Sequence, residues 1–474
     1  MKRFAYILAA AMILPGVSAC NQDHEPEWSE TAPFDIKVVE TSITDGQEVS
    51  PETTEISVAY DHDIALSQTA VITLDGVAVG DPRVVDGNRL VADISLSKGK
   101  RYVFHIPANA VAGVGSKTFA PEVTITFSTG EINIIDKSKL TASLVNANAT
   151  AQAKKLFEVF ISNYGEKQIS GVMGGVAWDT QFSDLVYQAA GKYPAIVGFD
   201  YIHLASSPSN WIDYGDITPV KSVWEAGSVP AMTWHWNVPI AEGSSELNAS
   251  QKITIDGNEV ENQFKASNVL VEGTWENTVA TADVEKLAGY LALLQDAGIP
   301  VIWRPFHEAA GDYSWGAWFW WGNSGVDVTK QLWGWLYDKL TVEYGLNNLI
   351  WVWTVQTSNA GQLASADLVK SAYPGDDKVD MVGADLYVEP LTNQTGQFEL
   401  LYNLVEGKKM VALSECGNLL DVESAFSDGA LWSYFMSWYE MPDGEYGFKD
   451  WNLNNEWKTV LDNPRVINRG DVEF

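Results

Sequence analysis

The sequence predicts an α/β protein whose larger part is a (β/α)8 barrel, the TIM barrel, preceded by a small all-β sandwich. Three observations carry this prediction. Beyond Gly130 the chain holds eight apolar runs of strand length with room for helices between them, and eight βα units is the count of such a barrel. Between about 33 and 130 the runs are short, rich in Val, Ile, Thr and Phe, and spaced every 10 to 15 residues, the texture of an antiparallel sandwich. Of the 20 tryptophans all but Trp28 stand at position 178 or later, so the aromatic excess belongs to the second region. An open doubly wound sheet is the alternative, but no GxGxxG or GxxxxGK follows the first strands.

Composition narrows the partners. The 474 residues carry 30 basic and 62 acidic side chains, a formal charge of −32, so DNA, RNA or heparin would be repelled over most of the surface. A chain with 46% hydrophobic and 19% charged residues folds.

The elements follow in order. Residues 1–19 read as a signal peptide: Lys2 and Arg3 form a basic start, Phe4 to Leu14 is apolar but too short to span a bilayer, and small residues lead to a Cys in VSAC (17–20). That ending resembles a bacterial lipobox, which implies lipidation of Cys20 as the first mature residue. Residues 20–32 form a linker whose Asp23, Glu25 and Glu27 resemble the surface-export signal of Bacteroidetes lipoproteins. The expectation is a protein anchored by lipid to the outer membrane of a Gram-negative bacterium, exposed on the cell surface, with a periplasm-facing anchor as the alternative. Only Cys416 remains as a thiol, so no intramolecular disulfide is available and core packing must supply the stability.

Residues 33–130 contain EISVAY (55–60), AVITLDG (70–76), RLVADI (89–94), RYVFHI (101–106) and EVTITFSTG (122–130), with DG turns at 75 and 86. Together with the segment from Gly99 through IPANAV (106–111), this pattern resembles bacterial Ig-like domains. His62 and His105 are read there as surface or packing residues.

Residues 131–474 form the barrel. Val284, Leu287, Ala288, Leu291 and Leu294 mark one face of a helix ending near Gly298. Strand-like runs stand at 169–176, 195–201, 229–236, 349–355, 379–387, 410–415 and 431–438, with IPVIWRPFHE after the helix as the fourth. Active sites of such barrels form where the strands end. Glu308 closes the fourth run and Glu415 the seventh, expected to face each other across the mouth. Two carboxyls without a metal signature suggest glycoside hydrolysis, in which one protonates the leaving oxygen and the other attacks or activates water. None of the six histidines is in HExxH or HxH spacing and no GxSxG occurs, so neither zinc nor a serine nucleophile is expected. Sugar rings pack their C–H faces on aromatic rings, and the tryptophans at 315, 318, 320 and 321 crowd the loop after Glu308, while Trp234 and Trp236 flank His235. Trp303, Trp351 and Trp353 lie within strands and are read as divided between barrel interior and helix layer.

WRPFHE (303–308) with WFWWG (318–322), and GVMGG, GFDY, TWHW, GADLY and LSECG in order along the chain, resemble glycoside hydrolase family 26, whose best-known members are β-1,4-mannanases. The resemblance implies a retaining double displacement with Glu308 as acid/base and Glu415 as nucleophile. It further implies a hydrogen bond from Tyr387 to the nucleophile and sugar contacts by His235, Trp275, His307, Trp318 and Trp438. No cofactor and no metal are implied, and the partner would be a neutral β-mannan polysaccharide or its oligosaccharides, met by a monomer. Alternatives are a β-1,3-xylanase or mixed-linkage glucanase of the same family, and a non-catalytic surface glycan-binding lipoprotein.

Overall fold

The computed structural model describes residues 34–474 except 68–69, 98, 117, 131–134, 176, 310–317, 357, 360–361, 388–393 and 439–454. Residues 1–19 and 20–32, read above as signal peptide and linker, lie outside the described residues, as do Cys20 and Trp315. The chain divides into two compact units.

In the N-terminal region, strands Val38–Thr41, Glu55–Tyr60, Arg89–Asp93 and Gly80–Val85 form one antiparallel sheet. A second sheet gathers Gln47–Glu48, Val123–Ser128, Arg101–Ile106, Thr73–Leu74 and Val77–Ala78. Alternation is clean in Arg101–Ile106, where Tyr102, Phe104 and Ile106 are buried and Arg101 and Val103 exposed. Strand Gly80–Val85 carries no sequence signal because Asp81-Pro82 reads as a turn. It is tolerated because the strand lies at the sheet edge and its register is irregular between Gly80 and Arg83, the places where a residue without an N–H costs no ladder bond.

The barrel strands are β1 (Gln168–Gly175), β2 (Ile196–Asp200), β3 (Val229–Thr233), β4 (Val301–Arg304), β5 (Leu349–Gln356), β6 (Met381–Leu386), β7 (Met410–Cys416) and β8 (Tyr434–Ser437). Each pairs in parallel with the next, and β8 pairs with β1 to close the ring. Every residue of these strands is buried, which is why they read as continuous apolar runs rather than as alternation. A short strand, Val466–Ile467, lies parallel to the start of β1.

Helices α1 (Ala151–Asn163), α2 (Gln181–Ala190), α3 (Thr218–Glu225), α4 (Trp275–Asp296), α5 (Val326–Tyr337), α6 (Ala366–Ala372), α7 (Thr395–Leu404), α8 (Val422–Asp428) and α9 (Asn455–Asp462) interleave with the strands. In α4 the Thr274 side chain accepts from Asn277 N–H as an N-cap, and Val284, Leu287, Ala288, Leu291 and Leu294 are buried, each leucine contributing about 2 kcal/mol by leaving water. Gly298 follows with φ of 72°, where a side chain would be strained. Trp351 meets Trp333 and Tyr337 of α5, and Trp353 meets Tyr373 just after α6. Two residues apart on β5, both rings therefore share the helix side.

Barrel strands come close where side chains vanish. A Cβ on Gly383 of β6 would stand 2.4 Å from Ser414 Oγ and 2.8 Å from its Cβ, and Ser414 in turn donates to Asp385 at 2.9 Å. Gly383→Ala is expected to destabilise the protein by about 1–3 kcal/mol through overpacking, read as a lowered denaturation midpoint in urea at unchanged slope; an unaltered midpoint would show that β6 and β7 have slack.

Candidate active site

Strand β4 ends at Arg304 because Pro305 offers no N–H to continue the ladder. Glu308 thus stands four residues beyond the strand, not on it, and β4 and β7 are separated by β5 and β6 rather than diametrically opposed. The turn is unusual: Phe306 (φ 49°) and Glu308 (φ 56°) both adopt left-handed backbone, a conformation that costs of order 1–3 kcal/mol for such residues and persists only where the surroundings over-determine it. Here the Phe306 ring packs against Trp236 and Trp321, each 6.0 Å away, and the Trp321 indole N–H donates to the His307 carbonyl at 2.9 Å. On the other side, β7 breaks register with β8 between Leu413 and Cys416, and β6 breaks register with β7 between Ala384 and Asp385. These irregularities re-aim side chains, and the result is that oxygens of Glu308, Asp385 and Glu415 come within 4.8 Å of one another, all three buried.

A cation already serves these carboxyls. Arg304 is buried, with Nη1 donating to Asp385 Oδ2 at 2.8 Å and Nη2 to Glu415 Oε2 at 2.5 Å. Burial opposes its charge, but Asp385 and Glu415 outweigh that and hold it protonated. The Tyr387 hydroxyl donates to Glu415 Oε1; the residue as a whole is 42% exposed, but desolvation of its hydroxyl end, then Glu415 and Glu308, push its proton loss well up, so it remains a donor. Glu415 therefore has a donor on each oxygen, a guanidinium N–H on Oε2 and a phenol O–H on Oε1. Glu308 is in the opposite situation. Burial, then Asp385 and Glu415, raise its carboxyl well above the usual range, with Arg304 and a hydrogen bond from Gln356 opposing only in part. A carboxyl kept protonated beside one bound by an arginine and a phenol is the arrangement of an acid next to a nucleophile, while burial raises the third carboxyl, Asp385, as well.

Sequence-predicted residues divide into two groups. Tyr387 touches Glu415, His235 and His307 touch each other at 3.2 Å between their Nε2 atoms, and the Trp438 ring lies 5.8 Å from that of His235. Trp318, 40% exposed, presents its ring to solvent in the loop after Glu308. Trp275, by contrast, is half-buried at the start of α4 with its ring edge-to-face on Phe264 at 5.2 Å. The loop tryptophans 320 and 321 are fully buried, their N–H groups bound by the carbonyls of Trp236 and His307, and Trp234 and Trp236 stack on each other at 3.9 Å. These four rings build the wall and do not offer faces to a ligand. Trp318 is held by the segment after β3: Gln251 N–H donates to its carbonyl at 2.7 Å, Trp320 N–H donates to Ala249 O at 2.9 Å, and Ser250 and Phe319 form an antiparallel bridge.

Sequence reasoning passed over Arg304, Asp385, Gln356 and Asp200. Three of them stand inside the words WRPFHE, GADLY and GFDY, and the available signal was a charge at the end of an otherwise apolar, fully buried strand, which must be paired.

Comparison with known proteins agrees with this geometry. The family description "Glycosyl hydrolase family 26" matches residues 145–471. A mannan endo-1,4-beta-mannosidase B from Piromyces sp is 34% identical over 344 residues, covering 71% of this chain and 54% of that protein; the chain spans about half the length of the Piromyces relatives it matches. Among solved structures, the GH26 domain of an endo-beta-mannanase/endo-beta-glucanase from Prevotella bryantii superposes with a TM-score of 0.60 at 37% identity, covering 69% of this chain and 98% of that one. A ruminal GH26 endo-beta-1,4-mannanase gives a TM-score of 0.62 at 28% identity, covering 89% of this chain and 90% of that one. With the closed eight-stranded barrel and the carboxyl cluster at its mouth, the family match over most of the barrel places this chain in glycosyl hydrolase family 26.

Proposed function

We propose that this chain is a retaining glycosidase that cleaves internal β-1,4-mannosidic bonds of mannan, glucomannan or galactomannan. The observation that carries the reading is the Glu308–Glu415 pair: two buried carboxyls with oxygens within 4.8 Å, one kept protonated by burial and acidic neighbours, the other bound by Arg304 and Tyr387. Retaining enzymes keep their carboxyls only ~5–5.5 Å apart, whereas inverting ones leave room for a water. Mannan as the substrate is supported by the mannosidase relatives and by a formal charge of −32, which favours a neutral polymer over uronic-acid chains.

In the first step Glu415 attacks the anomeric carbon while Glu308 gives its proton to the departing glycosidic oxygen. Tyr387 and Arg304 hold the attacking carboxylate without rotating it, so little reorganisation is needed at the moment of attack. Glu308, now ionised, takes a proton from water as that water attacks the glycosyl-enzyme, which restores both carboxyls and returns the original configuration. The enzyme works as a monomer, tethered to the outer membrane through lipid on Cys20 and facing the cell surface. Support for the tether is the basic-apolar-VSAC start and the acidic residues after Cys20; among the described residues no helix is long and apolar enough to cross a membrane.

Reducing-sugar release from mannan, glucomannan, xylan and lichenan tests the reading directly, with the highest kcat/KM expected on a β-mannan; a preference for xylan or lichenan would move the protein to a neighbouring specificity. Glu415→Ala is expected to lower kcat by ~10⁴-fold or more. With an activated aryl mannoside and azide, Glu308→Ala should yield the β-mannosyl azide and Glu415→Ala the α product, identified by NMR; the reverse pairing would exchange the two roles.

The raised carboxyl of Glu308 has a signature in stability. A folded-state pKa above the unfolded value means stability is fully present below the unfolded pKa and lost as pH rises through the folded one. Glu308→Gln, which cannot ionise, should therefore show a higher Tm than the wild type at pH 9 and a smaller difference at pH 4, with activity lost at both; equal Tm at pH 9 would mean that Glu308 titrates normally.

For the anchor, Cys20→Ala is expected to shift the protein from the membrane to the soluble fraction on cell fractionation. Retention of the variant in the membrane would rule out lipid on Cys20 as the tether.

A further inference from the structure

Asp200, the last residue of β2, is completely buried. Its Oδ1 accepts the backbone N–H of His235 at 3.0 Å and its Oδ2 lies 2.5 Å from His235 Nδ1. From there polar contacts continue without a break: His235 Nε2 to His307 Nε2 at 3.2 Å, His307 Nδ1 to Thr233 Oγ1 at 3.4 Å, and Thr233 Oγ1 to the Arg304 carbonyl at 3.2 Å.

The ends of this row fix its proton count. A carbonyl can only accept, so the Thr233 hydroxyl donates to Arg304 O, and its oxygen then takes the hydrogen on His307 Nδ1. At the other end Asp200 accepts the backbone N–H of His235 on Oδ1, and its Oδ2 accepts from His235 Nδ1 when that nitrogen carries a hydrogen. A row with an acceptor at each end needs one member that donates in both directions. With two neutral imidazoles one contact is lost: either the Nε2 pair goes without a hydrogen, or the Thr233 hydroxyl turns from Arg304 O to His307 Nδ1. All the contacts are hydrogen bonds at once only when the row holds one proton more than two neutral rings.

We propose that Asp200 is a positioning residue that acts through His235 and His307, keeping this extra proton on the His235 ring and so fixing the turn that carries Glu308. The surroundings favour His235 over His307 as its seat. Burial works against charge on both rings, but Asp200 and then Glu415 overcome it at His235, with Arg304 opposing, and raise its proton affinity. At His307 burial, His235 and Arg304 all act in one direction and lower it well below the usual value. The remaining neighbours of His235, the rings of Phe319 and Trp438 at 5.5 and 5.8 Å, carry no charge.

The consequence reaches Glu308 through the chain. With Nδ1 on Thr233 and Nε2 on His235, the His307 ring is held at both nitrogens, and its carbonyl is held by Trp321. The left-handed residues at 306 and 308 bracket this fixed point. Losing the proton would leave two lone pairs facing each other across the Nε2 contact, or turn the Thr233 hydroxyl from Arg304 O to His307 Nδ1, and either change would loosen the turn. Misplacing a catalytic group by about 1 Å costs ~10²-fold in rate.

The kinetic part of this inference rests on the glycosidase reading, while its spectroscopic part needs no substrate. In ¹⁵N-labelled full-length protein at pH 7, imidazole ¹⁵N–¹H correlation spectra are expected to show His235 with hydrogens on both nitrogens and His307 with one, on Nδ1. In Asp200→Asn, His235 should carry a single hydrogen at that pH. On mannan the variant should lose roughly 10–100-fold in kcat with KM within about threefold, and the alkaline limb of its pH profile should move to lower pH. A raised His pKa contributes stability that is present below the unfolded value and lost as pH rises through the folded one. The Tm deficit of Asp200→Asn should accordingly be larger at pH 6 than at pH 9, whereas a merely structural loss would be the same at both. A wild-type His235 with one hydrogen at pH 7, or an unchanged histidine spectrum in the variant, would overturn the assignment. Failure of the wild type to cleave any β-mannan would remove the proposed function and leave the spectroscopic result standing.

Discussion

The site depends on a buried guanidinium. Arg304 has no exit to water, and burying a charge is tolerable only when opposite charge and hydrogen bonds replace the lost solvent. Its two arms take Asp385 and Glu415, and those two pairings fix where β6 and β7 must lie relative to β4 at the barrel mouth. Breaking such a pair from one side leaves an uncompensated charge, at about 3–5 kcal/mol, so the three strands are locked in register where the chemistry happens. The irregular pairings in β6 and β7 are the backbone's accommodation of that demand.

From this one constraint the asymmetry of the carboxyls follows. The guanidinium is spent on Asp385 and Glu415, so Glu308, in the same cluster, has two acidic neighbours and no direct ion pair. The cheapest way for a buried group to live there is to keep its proton. Contact with the arginine does not by itself set the form, because burial outweighs Arg304 at Asp385 and raises that carboxyl as well; what it leaves is Glu308 neutral beyond its reach, while Glu415 takes a second donor from the Tyr387 hydroxyl on its other oxygen.

Much of this was legible in the sequence, and the exceptions have physical causes. The eight barrel strands are readable because burial on both faces makes them uninterrupted apolar runs, and α4 because its buried face repeats at helical spacing. Glu308 and Glu415 are readable as acids at the ends of such runs. The edge strand Gly80–Val85 was hidden by a proline that only an edge or bulge can hold. Trp320 and Trp321 were misread as ligand faces because sequence gives the amino acid and not its orientation; both indoles turn inward to backbone carbonyls. Arg304, Asp385 and Asp200 were overlooked for the complementary reason. A charge inside an apolar word looks like an interruption of the pattern until the partner from another strand is known.

The bridge between Ser250 and Phe319 bears on how this wall can be re-engineered. Trp318 does not belong to its own loop alone, because the segment after β3 holds its carbonyl through a backbone hydrogen bond. The two excursions form a composite unit, so a loop graft that exchanges one without the other would deliver the new residues on an unsupported backbone. Diversification of this wall, in the laboratory or in evolution, has to proceed by paired exchange of both segments or by side-chain changes that leave the shared hydrogen bonds in place.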